Sequence, residues 1–438
     1  MVQPKRNKNT SSSSSNPSPI TPRGNKRNTR SESTSSITTT GGTPTLILDN
    51  GGYTAKCGYS HQPKIPPMII PNCIMKVKSE RRRAFIGNQI DECTDASGLY
   101  YILPFQRGYL INWDTQKTVW DYIFSDECLS VNFNEVPVII TEPIFNFRSI
   151  QEGITEIFFE EYECPALLRC NATDLSHFNY SQTNDNHLGC LVVDSGFSFT
   201  HIVPYINGVK VRSAIRRIDV GGKVLTNQLK EIISYRQLNV MDETHVMNQC
   251  KEDCCYVSLD FKSDLEKTRL RGKANDILKE YVLPDYNVVK RGYIQDSNND
   301  NMNSYETQNL IMNNERITIP EILFHPQDIG LEQKGIAEAV LESIYACPEE
   351  THSVLFKNIV VTGGSTKFKN FAERLEKDVR AMTSSYYDVQ VTSPKDPITY
   401  AYEGGIAQSA DPDFYAKCVT KEEYMEEGFQ VALERFDI

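Results

Sequence analysis

The sequence predicts an α/β protein of two large lobes arranged around one cleft, and three observations carry that prediction. Its 438 residues are too many for one hydrophobic core and enough for two. A motif of apolar strand, aspartate and small-residue turn occurs twice, as Leu46-Ile47-Leu48-Asp49-Asn50-Gly51-Gly52 ending at Lys56, and as Leu191-Val192-Val193-Asp194-Ser195-Gly196 ending at His201. A further strand, Ile359-Val360-Val361, runs into the glycine turn Thr362-Gly363-Gly364-Ser365 ahead of a helix at 370–379.

The first copy describes a phosphate-binding hairpin. Asp49 can face a hydrated divalent cation, Gly51 and Gly52 let backbone N–H groups approach phosphate oxygens, and Lys56 adds a point charge. The same letters also fit an ordinary hairpin turn. The second copy shifts the balance, because two such hairpins face to face would clamp a nucleotide's phosphates, with Asp49 and Asp194 holding a metal through water.

Composition narrows the class. The net charge of −11 conceals a tail at 1–44 with seven basic side chains (Lys5, Arg6, Lys8, Arg23, Lys26, Arg27, Arg30) against Glu32, which leaves about −17 for the rest. Such an acidic body is a poor general nucleic-acid binder, whereas the tail suits DNA, an acidic protein or an import receptor, or is simply solvated. No apolar run approaches the ~20 residues of a membrane span and the start is no signal peptide, so a soluble intracellular protein is expected. The twelve cysteines lack paired metal-ligand spacing and read as core thiols of a reduced compartment.

In chain order, 1–44 is Ser/Thr-rich and predicts disorder. A first lobe follows over 45–190. It holds short strands at 68–71 and 84–87 flanking an exposed basic turn at 76–83, a helix over 113–124, a buried strand at 136–141 and an amphipathic helix over 149–162. Residues 172–187 read as a polar surface insertion. The second lobe, 191–400, carries a helix from Gly221-Gly222 to about Ser234, whose N-terminus favours an anion. Lys251-Glu252 starts a predicted strand over 250–257, and 295–315 reads as an Asn-rich surface insertion. A helix over 335–345 follows, and 401–438 returns to the first lobe.

Taken together, Asp49-Asn50-Gly51-Gly52 with Lys56, Asp194-Ser195-Gly196 with Thr200-His201, Lys251-Glu252 and Thr362-Gly363-Gly364 resemble the nucleotide cleft of the actin family, over about residues 45–438. The resemblance implies a duplicated ATPase fold of four subdomains around ATP and Mg2+. It makes Gly363 and Gly364 part of the base pocket and Lys251 and Glu252 ribose and adenine contacts, although the latter two also fit a surface ion pair. It gives His201 a share in positioning water, with a packed core histidine as the alternative. The segments 235–244, 279–285 and 324–326 are similar to the actin-related protein 6 subfamily. That likeness implies a nuclear, non-filament subunit of a chromatin-remodelling complex that exchanges a histone variant. The implied partners are the complex's ATPase, a small zinc-containing subunit and histones, with DNA reached mainly through them and no membrane.

Departures from the family weigh against an enzyme. Tyr53 stands where the first phosphate loop has a small residue, and Phe197-Ser198-Phe199 replaces a pattern containing a carboxylate. Ala172 falls where a water-orienting glutamine belongs, and Ile398 where a lysine packs on adenine. In-line hydrolysis needs a positioned water, so turnover is expected to be weak or absent. The basic run at 76–83 is shorter than the family's filament-contact loop, which predicts no polymer. A working ATPase or filament former is the competing expectation, kept open by Asp49 and Asp194.

Overall fold

The computed structural model describes residues 44–78, 82–93, 95–183, 188–295, 307–436 and 438. The basic tail, apart from Pro44, and the centre of the Asn-rich segment lie outside the described residues. The first large sheet contains β1 (Leu46–Asn50), β2 (Thr54–Tyr59), β3 (Met68–Pro71), β4 (Val138–Glu142) and β5 (Ala166–Asn171). In the second are β6 (Gly189–Ser195), β7 (Thr200–Ile206) and β8 (Ile359–Thr362), and the short β9 (Val419–Thr420) returns to the first. The first sheet runs β9-β5-β4-β1-β2-β3. In the second, β6 lies between β7 and β8, with short strands at 209–210, 216–218 and 391–392 at its margins.

The duplication is visible in the pairing. β1 and β2 form an antiparallel hairpin with Asp49 opposite Lys56, and β1 runs parallel to β4. β6 and β7 do the same with Asp194 opposite His201, and β6 runs parallel to β8. Leu46, Ile47 and Leu48, like Leu191, Val192 and Val193, are buried throughout, as a strand covered on both faces requires. Each sheet has its own core: Trp120, Phe158 and Ile139 belong to the first, Leu229, Ile344 and Phe356 to the second.

Several helices match their sequence pattern. Helix α1 (Trp113–Phe124) begins at Asn112, whose side chain accepts from the N–H of Thr115, satisfying one of the open donors of the first turn. Helix α2 (Arg148–Glu156) passes into a wider π-type turn over Ile157–Glu161. That turn lets two consecutive aromatics be buried, Phe158 against Trp120 and Phe159 against Tyr424.

Three expectations are corrected. Residues 172–183 are not a surface insertion but helix α3 (Ala172–Thr183), with Leu175, Ser176, His177 and Tyr180 buried. It packs on α6 (Tyr400–Ser409) so closely that a Cβ on Gly404 would lie 2.0 Å from the Leu175 carbonyl oxygen. That approach requires a glycine at 404; 184–187 lie outside the described residues. Lys251 and Glu252 sit not on a strand but on helix α5 (Thr244–Cys254), whose buried face is Val246, Met247, Cys250 and Cys254, a 3.6-residue period that the cysteines obscure. The Asn-rich insertion is shorter than 295–315: Asn309–Met312 pairs with Lys279–Val282, and buried Glu315 starts a helix. Residues 296–306 lie outside the described residues.

Candidate functional site

The structure brings all eleven residues singled out in the sequence, Asp49, Gly51, Gly52, Lys56, Asp194, Gly196, His201, Lys251, Glu252, Gly363 and Gly364, around one cavity of about 950 Å³. The two hairpin turns meet there. Asp49 pairs with the Lys56 ammonium at 3.0 Å and accepts a 2.7 Å bond from the Thr141 hydroxyl, whose oxygen in turn accepts the Asn50 N–H at 2.9 Å. Behind the turn, Asn72 donates to the Asn50 side chain at 3.0 Å and to the Gly51 carbonyl at 2.9 Å, fixing the loop's shape.

Burial, then the negative charge of Asp49, pushes the Asp194 carboxyl up to about 6, with Lys56 opposing. Two carboxylates close enough to repel, with one lysine paired to Asp49 alone, are a site that gains from a further cation. His201 is driven the other way, down to about 3, by burial and then by Arg217. It is therefore a neutral imidazole at pH 7, and its Nε2 has no hydrogen-bond partner. Such a buried donor or acceptor calls for water or a ligand.

Gly363 sits at φ +90°, and a Cβ there would fall 2.4 Å from the Ser195 carbonyl and 2.7 Å from Asp194 Oδ1. It thus holds the third turn against the second hairpin, whereas Gly364 meets nothing within 4 Å and leaves space on the cavity side. On α5, the Lys251 ammonium donates to the Gly222 carbonyl (3.2 Å), Thr226 Oγ1 (2.9 Å) and Asn248 Oδ1 (2.9 Å). All three of its hydrogens are used. Glu252 accepts from Asn248 Nδ2 at 2.7 Å and is the more available of the pair. The anion-favouring helix start at Gly221-Gly222 is corrected as well: the N–H groups of Gly222 and Lys223 bond the carbonyls of Gly196 and Phe197, so α4 (Gly222–Arg236) supports the second hairpin instead.

A model of the actin family matches residues 40–437. The chain belongs to the actin family. Within it, the chain is 50% identical to actin-related protein 6 of Drosophila melanogaster over 390 residues, 88% of this chain and 98% of that protein. It is 37% identical to the actin-like protein ARP6 of Cryptococcus neoformans, over 90% of this chain and 84% of the relative. Identity to actin-related protein 6 of Arabidopsis thaliana is 36%, over 89% and 99%.

Within this actin fold the departures that bear on nucleotide chemistry are at the cavity. Ala172 opens α3 at the cavity wall and Ile398 lines it; neither side chain can hydrogen-bond. Tyr53 lies on Phe197 of the opposite hairpin, ring centroids 4.9 Å apart at 25°. Sequence reasoning missed Thr141 and Asn248. Thr141 had a signal, since Ile139-Ile140-Thr141 repeats Val360-Val361-Thr362 in the other half; Asn248 had none, because it matters only as the hub joining Lys251, Glu252 and Tyr53.

Proposed function

We propose that this chain is an architectural, non-filament subunit of a nuclear chromatin-remodelling complex that exchanges a histone variant, and that its cleft takes ATP with Mg2+ while hydrolysing it weakly or not at all. The observation that carries the cleft reading is the pairing of two matched hairpins that bring Asp49 with its partner Lys56, and Asp194, to one cavity. The residues present fit the ion and the phosphates. Asp49 and Asp194 would hold Mg2+, Gly51, Gly52 and Gly196 give close backbone approach, and Lys56 supplies positive charge. Bound Mg2+ would screen the two carboxylates from each other and neutralise phosphate charge. Against turnover stand Ala172, which orients no water, and a neutral, enclosed His201.

The complex-subunit reading draws its support from likeness to relatives named actin-related protein 6, from the acidic body and from the basic N-terminal clusters Lys5-Arg6 and Lys26-Arg27. Acidic surface suits histones better than bare DNA. Its partners in the proposal are the remodelling ATPase, a small zinc-containing subunit and histones. Two experiments test it. Phosphate release from ATP and Mg2+ should be far slower than actin's; release at an actin-like rate, abolished by Asp194→Ala, would establish the working ATPase instead. Gentle purification from cells should recover the chain from nuclei with a large remodelling ATPase, and recovery as a free cytoplasmic monomer defeats the subunit reading.

A further inference from the structure

Tyr53 does more than narrow the cavity. Its ring stacks on Phe197 across the cleft, its backbone carbonyl accepts from the Asn72 N–H at 2.8 Å within its own lobe, and its hydroxyl accepts from Asn248 Nδ2 at 3.3 Å on α5. One residue therefore joins the first hairpin to two elements of the second lobe. The turns touch beside it, since a Cβ on Gly52 would lie 3.2 Å from Ser198 Oγ. Asn248 is itself held, with Oδ1 accepting from Lys251 and Thr226 and Nδ2 shared with Glu252. It therefore offers Tyr53 a rigid anchor rather than a mobile amide.

A ligand that bridges two lobes stabilises closure because it binds the closed arrangement better than the open one. Here side chains of the chain already make the bridge. We propose that Tyr53 and Phe197 hold the two hairpins together in place of a nucleotide, so that closure does not depend on nucleotide and a nucleoside triphosphate binds only by displacing this aromatic pair. The inference rests on the nucleotide reading for its second half and on geometry alone for its first. Displacement lowers apparent affinity by the fraction of molecules in which the rings have parted. Freed of the rings, the same carboxylates, lysine and glycine turns would bind ATP more tightly, and closure would become ligand-driven.

The test compares the full chain with Tyr53→Gly and, from the other side of the stack, Phe197→Ser, each checked for native circular dichroism. Two quantities are measured: ATP·Mg2+ affinity by titration calorimetry, and amide hydrogen exchange at 51–54 and 196–199 without nucleotide. Either substitution should raise ATP affinity at least tenfold and speed exchange at both turns at least tenfold, with ATP restoring protection in the variants. Tyr53→Phe, which keeps the ring, should show a smaller increase in both. Unchanged exchange in a folded variant overturns the inference. So does ATP binding by the natural chain that the variants do not improve, and that result leaves the nucleotide reading intact. Faster exchange with no ATP binding by any form supports the aromatic clasp and removes the nucleotide reading.

Discussion

Replacing Arg169 with methionine should expose how the first lobe carries the most deeply buried ion pair among the described residues. Arg169 and Glu142 are both enclosed, with Nη1 3.1 Å from Glu142 Oε1 and 3.1 Å from the Gln151 carbonyl. The guanidinium lies 5.6 Å and 5.0 Å from the ring centroids of Phe429 and Phe436. At 3.1 Å and an effective dielectric of about 20 the attraction is about 5 kcal/mol before desolvation, and removing one partner of such a pair costs about 3–5 kcal/mol. Nε and Nη2 of Arg169 have no partner, so part of the arginine's own burial penalty leaves with it and the lower end, about 3 kcal/mol, is expected. Glu142 would keep the 2.6 Å bond from Asn146 and the lesser influence of Lys210, but lose its paired cation. Urea unfolding of Arg169→Met, Glu142→Gln and the double variant forms a cycle in which the double should recover about 2 kcal/mol over the sum of the singles. A pH arm fixes the cause. Burial raises the Glu142 pKa, with Arg169 opposing. Without Arg169 the folded value rises further above the unfolded one, so stability is retained at low pH and lost as pH climbs through the folded value. The deficit of Arg169→Met should therefore be smaller at pH 5 than at pH 8. Equal deficits at both pH values, or strict additivity in the cycle, would refute the reasoning.

Three further outcomes are expected. Gly363→Ala, which forces a Cβ into the Ser195 carbonyl and Asp194 at φ +90°, should cost about 1–3 kcal/mol and weaken Mg2+-dependent nucleotide binding at least tenfold; calorimetry showing natural affinity would contradict it. Gly404→Ala should separate α3 from α6 at a cost of about 1–3 kcal/mol, read as a lower melting temperature and faster amide exchange in α3. His245 bonds Tyr101 at 2.8 Å and Gln249 at 3.0 Å, and burial lowers its pKa, with Asp91 opposing and Arg291 assisting. The unfolded chain then takes up the proton first as pH falls through about 6.5, so the melting temperature should drop between pH 7 and 5, and His245→Gln should flatten that slope.

Much of the fold was legible because its strongest signals are local. An apolar triplet, a carboxylate and small residues specify a buried strand and its turn within seven positions, and two copies specify two sheets. Helices α1 and α2 announced themselves by period. Where reading failed, distant residues decided the outcome. α3 looks like a loop until Gly404, more than 200 positions away, is known to receive it. Lys251 looked like a nucleotide contact or half of a surface ion pair on a strand, yet its donors are consumed by Gly222, Thr226 and Asn248. The crowding by Tyr53 was foreseeable from its size, but its stacking on Phe197 belongs to the meeting of two hairpins that sequence spacing does not measure.

The short strand β9 has a consequence for how the chain is made. It pairs with Ala166 and Leu167 of β5, and the core of the first sheet also draws on Phe414, Val431 and Phe436. Roughly 250 residues separate β5 from β9, about 12–50 s of translation at about 5–20 residues per second. Throughout that interval the second sheet can finish while the first stays open along one margin, with unpaired backbone groups and uncovered apolar side chains facing the cytosol's other nascent proteins. The N-terminal half is thus made first and completed last. Premature termination between residue 392 and β9 would leave a completed second sheet tethered to a first one open along that margin.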